Sequence, residues 1–223
     1  GGGDDPGGAG SLLCLVMTFC ESGDLAKVLK TARKAKKGPK ESQVVSWFVQ
    51  IMLGIDHLHR QRILHRDIKP QNIFLSDSFK HIRIGDFGLA KEMKEGREQL
   101  QAEVGTPLYT SPEMVSNKKY SYPSDVWSVG CILHECMTLR SPFREKTTVE
   151  LVTAVCTKEP EFADPEKFSA ETRALARWTL QKDPARRATP GQVLRLPALR
   201  KAARAFAGSY KPQGVAERAR RQQ

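Results

Sequence analysis

The string His65-Arg66-Asp67-Ile68-Lys69-Pro70-Gln71-Asn72 constrains this chain more than any other stretch. It sets two cations, a carboxylate and two carboxamides within eight residues. Asp86-Phe87-Gly88 follows, with Asp86 nineteen residues after Asp67. Gly105-Thr106-Pro107 and Ser111-Pro112-Glu113 come next. Each motif alone reads as turn residues and surface charge, and a three-residue match arises by chance. Four in this order, with short apolar runs between the first two, fit a single mechanism far better than accident.

The surrounding pattern places these motifs on loops. Residues 1–11 hold six of the seventeen glycines and read as a flexible linker. Residues 12–18 are apolar and read as a buried strand, and 21–24 as a turn. Residues 30–40 read as a basic loop. Val44, Trp47, Phe48, Ile51, Met52, Ile55 and Leu58 recur at three- and four-residue steps, which predicts an amphipathic helix capped by Ser42. Residues 63–64, 73–75 and 82–84 are short apolar runs expected as small strands. An irregular stretch is expected over 91–122, and stretches of that length are usually functional. Beyond it the caps Ser124, Thr147, Ser169 and Thr189 predict helices over 124–139, 147–155, 169–181 and from Pro190 onward.

Several function classes fall away on composition. No apolar run approaches the ~20 residues of a membrane span; the longest, 12–19, is strand-sized. The five cysteines are odd in number and form no CxxC pair, which argues against a disulfide framework or zinc site and for reduced thiols in a cytosolic or nuclear setting. Residues 191–223 carry eight Lys/Arg against Glu217 alone, so +7 of the net +11 sits there. Residues 200–223 are expected to be a solvated, disordered basic tail. Nucleic-acid binding by it is the weakest reading, because only Phe206 and Tyr210 interleave with its charges. The chain starts with Gly1 rather than Met, which leads us to expect a processed product or a piece of a longer protein.

With these motifs in order, residues 12–199 resemble the catalytic lobe of a eukaryotic protein kinase. The resemblance implies an α+β, protein-kinase-like fold: mainly the helical C-terminal lobe, with the hinge and last strand of the N-terminal lobe. It implies ATP and Mg2+ as cofactors, and protein substrates bearing Ser or Thr. In the family's pattern Asp67 orients the substrate hydroxyl, Lys69 neutralises the transferring phosphate, and Asn72 and Asp86 supply oxygen ligands suited to magnesium. Gly88 lets the backbone turn beside Phe87. Met17 falls at the gatekeeper position, and Thr18, Phe19 and Cys20 resemble the adenine-binding hinge. Asp24, Gln71 and Phe74 match the remaining nucleotide contacts. Asp125 matches the aspartate that holds the His65-Arg66 backbone, and Glu113 with Arg187 matches a buried ion pair. Ala188 stands where the family usually has proline. Lys69 and Gly105-Thr106-Pro107 resemble serine/threonine kinases. Leu15-Val16-Met17, Phe19-Cys20-Glu21, Gly23-Asp24-Leu25 and Gly105-Thr106-Pro107-Leu108-Tyr109 look most like the NIMA-related kinases.

Two departures bear on activity. The family's glycine-rich loop, strand lysine and helix glutamate precede the hinge, and only eleven residues precede Leu12 here. Residues 1–10 fit no G-x-G-x-x-G register: Gly1 and Gly3 lead to Pro6, and Gly8 and Gly10 to Leu13. The chain is therefore expected to be inactive alone; a non-catalytic scaffold or competitor is the alternative. Met17, Phe87, Leu13 and Leu15 are expected to be left uncovered. In addition, residues 91–105 contain no Ser, Thr or Tyr. Glu103 is expected to give Arg66 the negative charge that a phosphate gives in the family, while Thr106 is expected to contact the catalytic aspartate and lysine.

Overall fold

The computed structural model describes residues 17–93, 107–116, 120–162 and 167–209. Its core is helical. Helix α2 (Glu41–Arg60) buries Val44, Trp47, Phe48, Ile51, Met52 and Ile55 along the face that the sequence periodicity marks. It packs on α4 (Tyr122–Thr138), which is buried from Ser124 through Met137. A helix buried on all sides is the centre of a fold, not its surface. Each side chain buried on this seam contributes roughly 1.5–3 kcal/mol of transfer free energy.

Capping chemistry sets most helix starts. Thr147 caps α5 (Thr148–Thr157) and Thr189 caps α7 (Pro190–Arg195), each in a reciprocal box with the side chain three residues on. Ser169 caps α6 (Ala170–Thr179), and its hydroxyl and backbone N–H both reach the Glu41 carboxylate at the head of α2. Elsewhere the expected starts shift. The cap of α4 is Ser121, with Ser124 at the third helical position completing the box. Ser42 lies inside α2, whose start falls on Lys40 just after Pro39.

The basic run expected as a loop over 30–40 is helical to Ala35. Asp24 accepts the Lys27 N–H at 2.8 Å and caps α1 (Leu25–Ala35), while Leu25 and Leu29, one turn apart, are buried. The apolar positions open the helix and the charges crowd its end, so charge density masks the period. The expected disordered tail is likewise ordered at its start: α8 (Pro197–Ser209) packs on α2 and α7, with Leu199 buried and the Phe206 ring 5.9 Å from that of His81. Within the stretch expected to be irregular, α3 (Pro112–Val115) forms, as does strand β4 (Lys91–Glu92), which pairs with β1 (Ile63–Leu64). Residues 1–16 and 210–223 lie outside the described residues, and with them most of the expected strand over 12–18. Its last two positions, Met17 and Thr18, are exposed and in no strand.

One hairpin positions the site. β2 (Ile73–Ser76) and β3 (His81–Ile84) pair antiparallel, with Ile73 opposite Ile84. Their turn holds Asp77, Ser78 and Phe79 at φ 49°, 52° and 68°, a left-handed conformation costing roughly 1–2 kcal/mol per residue. Three α2 side chains offset that cost. Trp47 Nε1 and Gln43 Nε2 donate to the Phe79 carbonyl at 2.7 and 3.1 Å. Gln50 Nε2 donates to the Lys80 carbonyl, and its Oε1 accepts the Ile82 N–H, both at 2.8 Å. The hairpin is thereby fixed to the core helix. Asn72 precedes its first strand, and Asp86 follows its second.

Candidate active site

The loop from His65 to Asn72 is held from below by one buried carboxylate. Asp125 Oδ2 accepts the His65 N–H at 3.1 Å and lies 2.9 Å from His59 Nε2. Its Oδ1 accepts the Arg66 N–H at 3.0 Å and the Tyr120 hydroxyl. Burial alone would raise the Asp125 pKa; the bonds from His59, Tyr120 and the Arg66 backbone outweigh it and hold the carboxyl below the usual range. Arg66 can then adopt φ 69°, a strained geometry that these bonds maintain. His59 reaches Asp125 from 66 residues away, and Tyr120 from five residues before it; neither belongs to the motifs read from the sequence.

His65 shows its own protonation state. Its Nε2 sits 3.1 Å from the Gly85 carbonyl, which can only accept. Its Nδ1 accepts the Asp67 N–H at 3.3 Å. The ring is therefore the neutral Nε2–H tautomer, and burial pushes its pKa below the ordinary value. The neutral form belongs to the folded chain, so its stabilisation is full above the unfolded pKa and is lost as pH falls below it. Burial shifts His134 the same way and outweighs the Glu161 and Arg140 carbonyls beside its ring nitrogens, which favour the charged form. We expect the melting temperature to fall between about pH 7 and pH 5, before Asp125 and Glu113, both held low, begin to protonate. Thermal scans across that range check this; a flat profile to pH 5 would contradict it.

Asp67, Lys69 and Asn72 converge as their spacing suggests. Lys69 Nζ donates to Asp67 Oδ2 at 2.7 Å. Asn72 Nδ2 donates to the same oxygen at 3.0 Å and to the Asp67 carbonyl at 2.8 Å. The carboxylate is thus fixed through one oxygen, and Oδ1 is left to accept from an incoming hydroxyl. With Nδ2 spent on Asp67, the Asn72 Oδ1 remains as a neutral acceptor. The Gly85 N–H donates to the Asn72 carbonyl at 3.0 Å and brings Asp86 alongside. Asp86 is exposed at φ 62°, with Oδ1 3.3 Å from the Gly88 N–H. Two hard oxygens on facing ends of a hairpin suit Mg2+, which takes its other ligands from water and phosphate. Among the described residues no cluster of three His, Cys, Asp or Glu forms an all-protein cage.

The nucleotide-side residues are placed less uniformly. Phe74 is half-buried, its ring 2.8 Å from where a side chain on Gly85 would begin, and it bridges to Asp24. Asp24 already caps α1 and ion-pairs with Lys27 at 3.2 Å. The Cys20 carbonyl accepts the Gly23 N–H at 3.1 Å in a turn, with Gly23 at φ +73°. Gln71 is exposed. Met17, Phe19 and Phe87 are exposed by 76%, 83% and 49%, which bears out the expected uncovered apolar surface at Met17 and Phe87. The Phe87 ring lies 5.0 Å from that of His65. Leu13, Leu15, Glu103, Gly105 and Thr106 lie outside the described residues.

Glu113 and Arg187 form a bidentate pair at 2.7 and 2.9 Å. Arg187 also donates to the carbonyls of Pro123, Gln181 and Lys182, and stacks 5.1 Å from the Trp127 ring. Burial would raise Glu113, but the hydrogen bond and charge of Arg187 hold it below the usual carboxylate range. Ala188 uses the N–H that a proline would lack, donating to the Trp178 carbonyl at 3.3 Å. A further cluster lies outside the sequence motifs: Tyr109 donates to Glu135 Oε2 at 2.7 Å, and Glu135 pairs with Arg33 of α1.

The protein kinase domain model matches residues 9–199. The chain is 40% identical to human serine/threonine-protein kinase Nek5 over 188 residues, 84% of this chain and 26% of that protein. It is 41% identical to mouse serine/threonine-protein kinase Nek4 over 194 residues, 86% of this chain and 24% of that one. Mouse serine/threonine-protein kinase Nek3 is 36% identical over 182 residues, 82% of this chain and 35% of its own length. The chain thus spans between a quarter and about a third of the relatives it matches, and the resemblance to NIMA-related kinases read from the motifs holds.

Proposed function

Because the chain belongs to the protein kinase domain family, we propose that its site serves transfer of the ATP γ-phosphate to Ser or Thr hydroxyls of protein substrates. The observation that carries this reading is the Asp67 carboxylate, held at one oxygen by Lys69 and Asn72 with the other open. Asp67 Oδ1 accepts the hydroxyl hydrogen and aims the oxygen at phosphorus. The new O–P bond forms as the bond to the leaving diphosphate breaks, and the hydroxyl proton passes to Asp67. Lys69 Nζ, already at this carboxylate, is placed to neutralise charge on the moving phosphoryl group. Asn72 and Asp86 would hold Mg2+, which would supply further charge neutralisation.

The 223-residue chain alone is expected to turn over little or not at all, since residues 1–16 offer no glycine-loop register and no strand lysine to grip the phosphates from above. Incubation with Mg-ATP and a Ser/Thr-rich protein checks this; turnover abolished by Asp86→Asn would overturn it. A dedicated scaffold would have no use for the convergence of Asp67, Lys69 and Asn72.

Glu103 enters the proposal as a fixed charge for Arg66. A carboxylate carries one charge where a phosphate carries about −1.5 to −2, so it orders the segment more weakly. In a form with both lobes, treated with phosphatase, Glu103→Lys is expected to lower activity more than Glu103→Ala. Undiminished activity in both would remove Glu103 from the mechanism.

A further inference from the structure

Lys30, Lys34, Lys36, Lys37 and Lys40 are all exposed, and none forms an ion pair among the described residues. Residues 25–40 contain no acid. Lys27, Lys30 and Lys34 follow one another at steps of three and four, a single stripe on α1 opposite the buried Leu25 and Leu29, and Lys36, Lys37 and Lys40 follow just beyond the helix end. A helix C-terminus attracts basic residues through its dipole, which accounts for Arg33 and Lys34 in the last turn of α1. It does not account for Lys30, nor for three more lysines beyond the helix.

The stripe is rigidly mounted. The Lys36 N–H donates to the Arg33 carbonyl at 3.2 Å, and the Lys37 N–H to the Ala32 carbonyl at 3.1 Å. Lys36 holds φ 50°, where glycine is the usual choice. Arg33 Nε donates to the Leu139 carbonyl at 2.7 Å and ties the helix end to α4.

The stripe is also connected to the site. α1 packs on the Pro70–Asn72 turn that carries Asn72. Tyr109 lines the cleft beside Asp67, together with Arg66, Ile68 and Thr110. Tyr109 bonds Glu135, and Glu135 pairs with Arg33, one residue from Lys34 and three from Lys30. The acid on this route is neutralised by Arg33, so it does not repel a negatively charged chain passing over it.

We propose that the lysine face of α1 and its following loop is a docking surface for an acidic stretch of the protein substrate, flanking the Ser or Thr seated at Asp67. The kinase reading supplies what occupies the cleft; the surface itself is tested by binding, without phosphate transfer. The 223-residue chain is titrated with a labelled serine peptide flanked by glutamates, with the same peptide carrying glutamines, and with a short DNA duplex. The glutamate peptide is expected to bind about tenfold more tightly than the glutamine peptide at low salt, with the difference shrinking as salt rises. Combined Lys30→Glu, Lys34→Glu and Lys37→Glu should abolish the preference, and the gentler glutamine triple should remove most of it. Arg200→Glu with Arg204→Glu, on the exposed face of α8, should leave it intact. Equal binding of both peptides, a preference that survives the α1 triples, or an equal loss in the α8 variant would overturn the proposal. Tighter binding of the duplex through the same lysines would also overturn it, assigning the face to nucleic acid. A failure of the kinase reading would appear instead as absent phosphate transfer with the peptide preference retained.

Discussion

Asp67→Asn is expected to lower phosphate transfer by about 100- to 10,000-fold in a form carrying both lobes, the range lost with a positioned general base. Asparagine keeps the shape of the side chain but takes no proton. Lys69 Nζ and Asn72 Nδ2 would meet a neutral oxygen in place of the carboxylate they now share. Lys69 would lose its charged partner, so nucleotide affinity should hold or rise while turnover falls. The check is kcat and KM for ATP measured together. A proportional loss of both nucleotide binding and turnover would mean that Asp67 organises the loop rather than the reaction.

Arg187→Ala is expected to cost about 3–5 kcal/mol, the penalty for leaving a buried charge without its partner. The Arg187 side chain is fully buried and Glu113 nearly so. Removing the guanidinium strands the Glu113 carboxylate, three backbone carbonyls and the Trp127 face together. Against a total stability of roughly 5–15 kcal/mol, that is a large share of the margin. Arg187→Lys keeps the charge but not the fork, so it should fall between wild type and alanine. Urea unfolding of the three proteins gives the comparison. A loss below about 1 kcal/mol for alanine would place the pair with ordinary surface ion pairs.

What sequence reveals here follows the range over which each interaction acts. Thr147, Ser169 and Thr189 are legible as caps because the bond each makes closes within three residues. Asp67, Lys69 and Asn72 are legible for the same reason: their chemistry lies on one short loop. Ser124 misleads because it belongs to a capping box whose other half, Ser121, equally fits the rule. α1 is obscured because six Lys/Arg within residues 30–40 outweigh two buried leucines in any local average. α8 is hidden because its order comes from packing on α2 and α7 rather than from composition. His59, Tyr120 and the Tyr109–Glu135–Arg33 chain were beyond local reading. His59 meets Asp125, and Arg33 meets Glu135, only where distant helices pack together; Tyr120 lies five residues from Asp125, but no cap or helix spacing rule pairs the two.

Asp67, Lys69, Asn72 and Asp86 are proposed to act together as a phosphoryl-transfer site for Ser and Thr. The direct measurement is mass-spectrometric mapping of phosphate on a protein substrate after incubation with Mg-ATP and a two-lobed form of the protein. Wild type should place phosphate on Ser and Thr only, the reaction should stop when magnesium is chelated, and Asp86→Asn should give no product. Transfer that persists in Asp86→Asn, or phosphate found chiefly on Tyr, would rule out this role for the four residues.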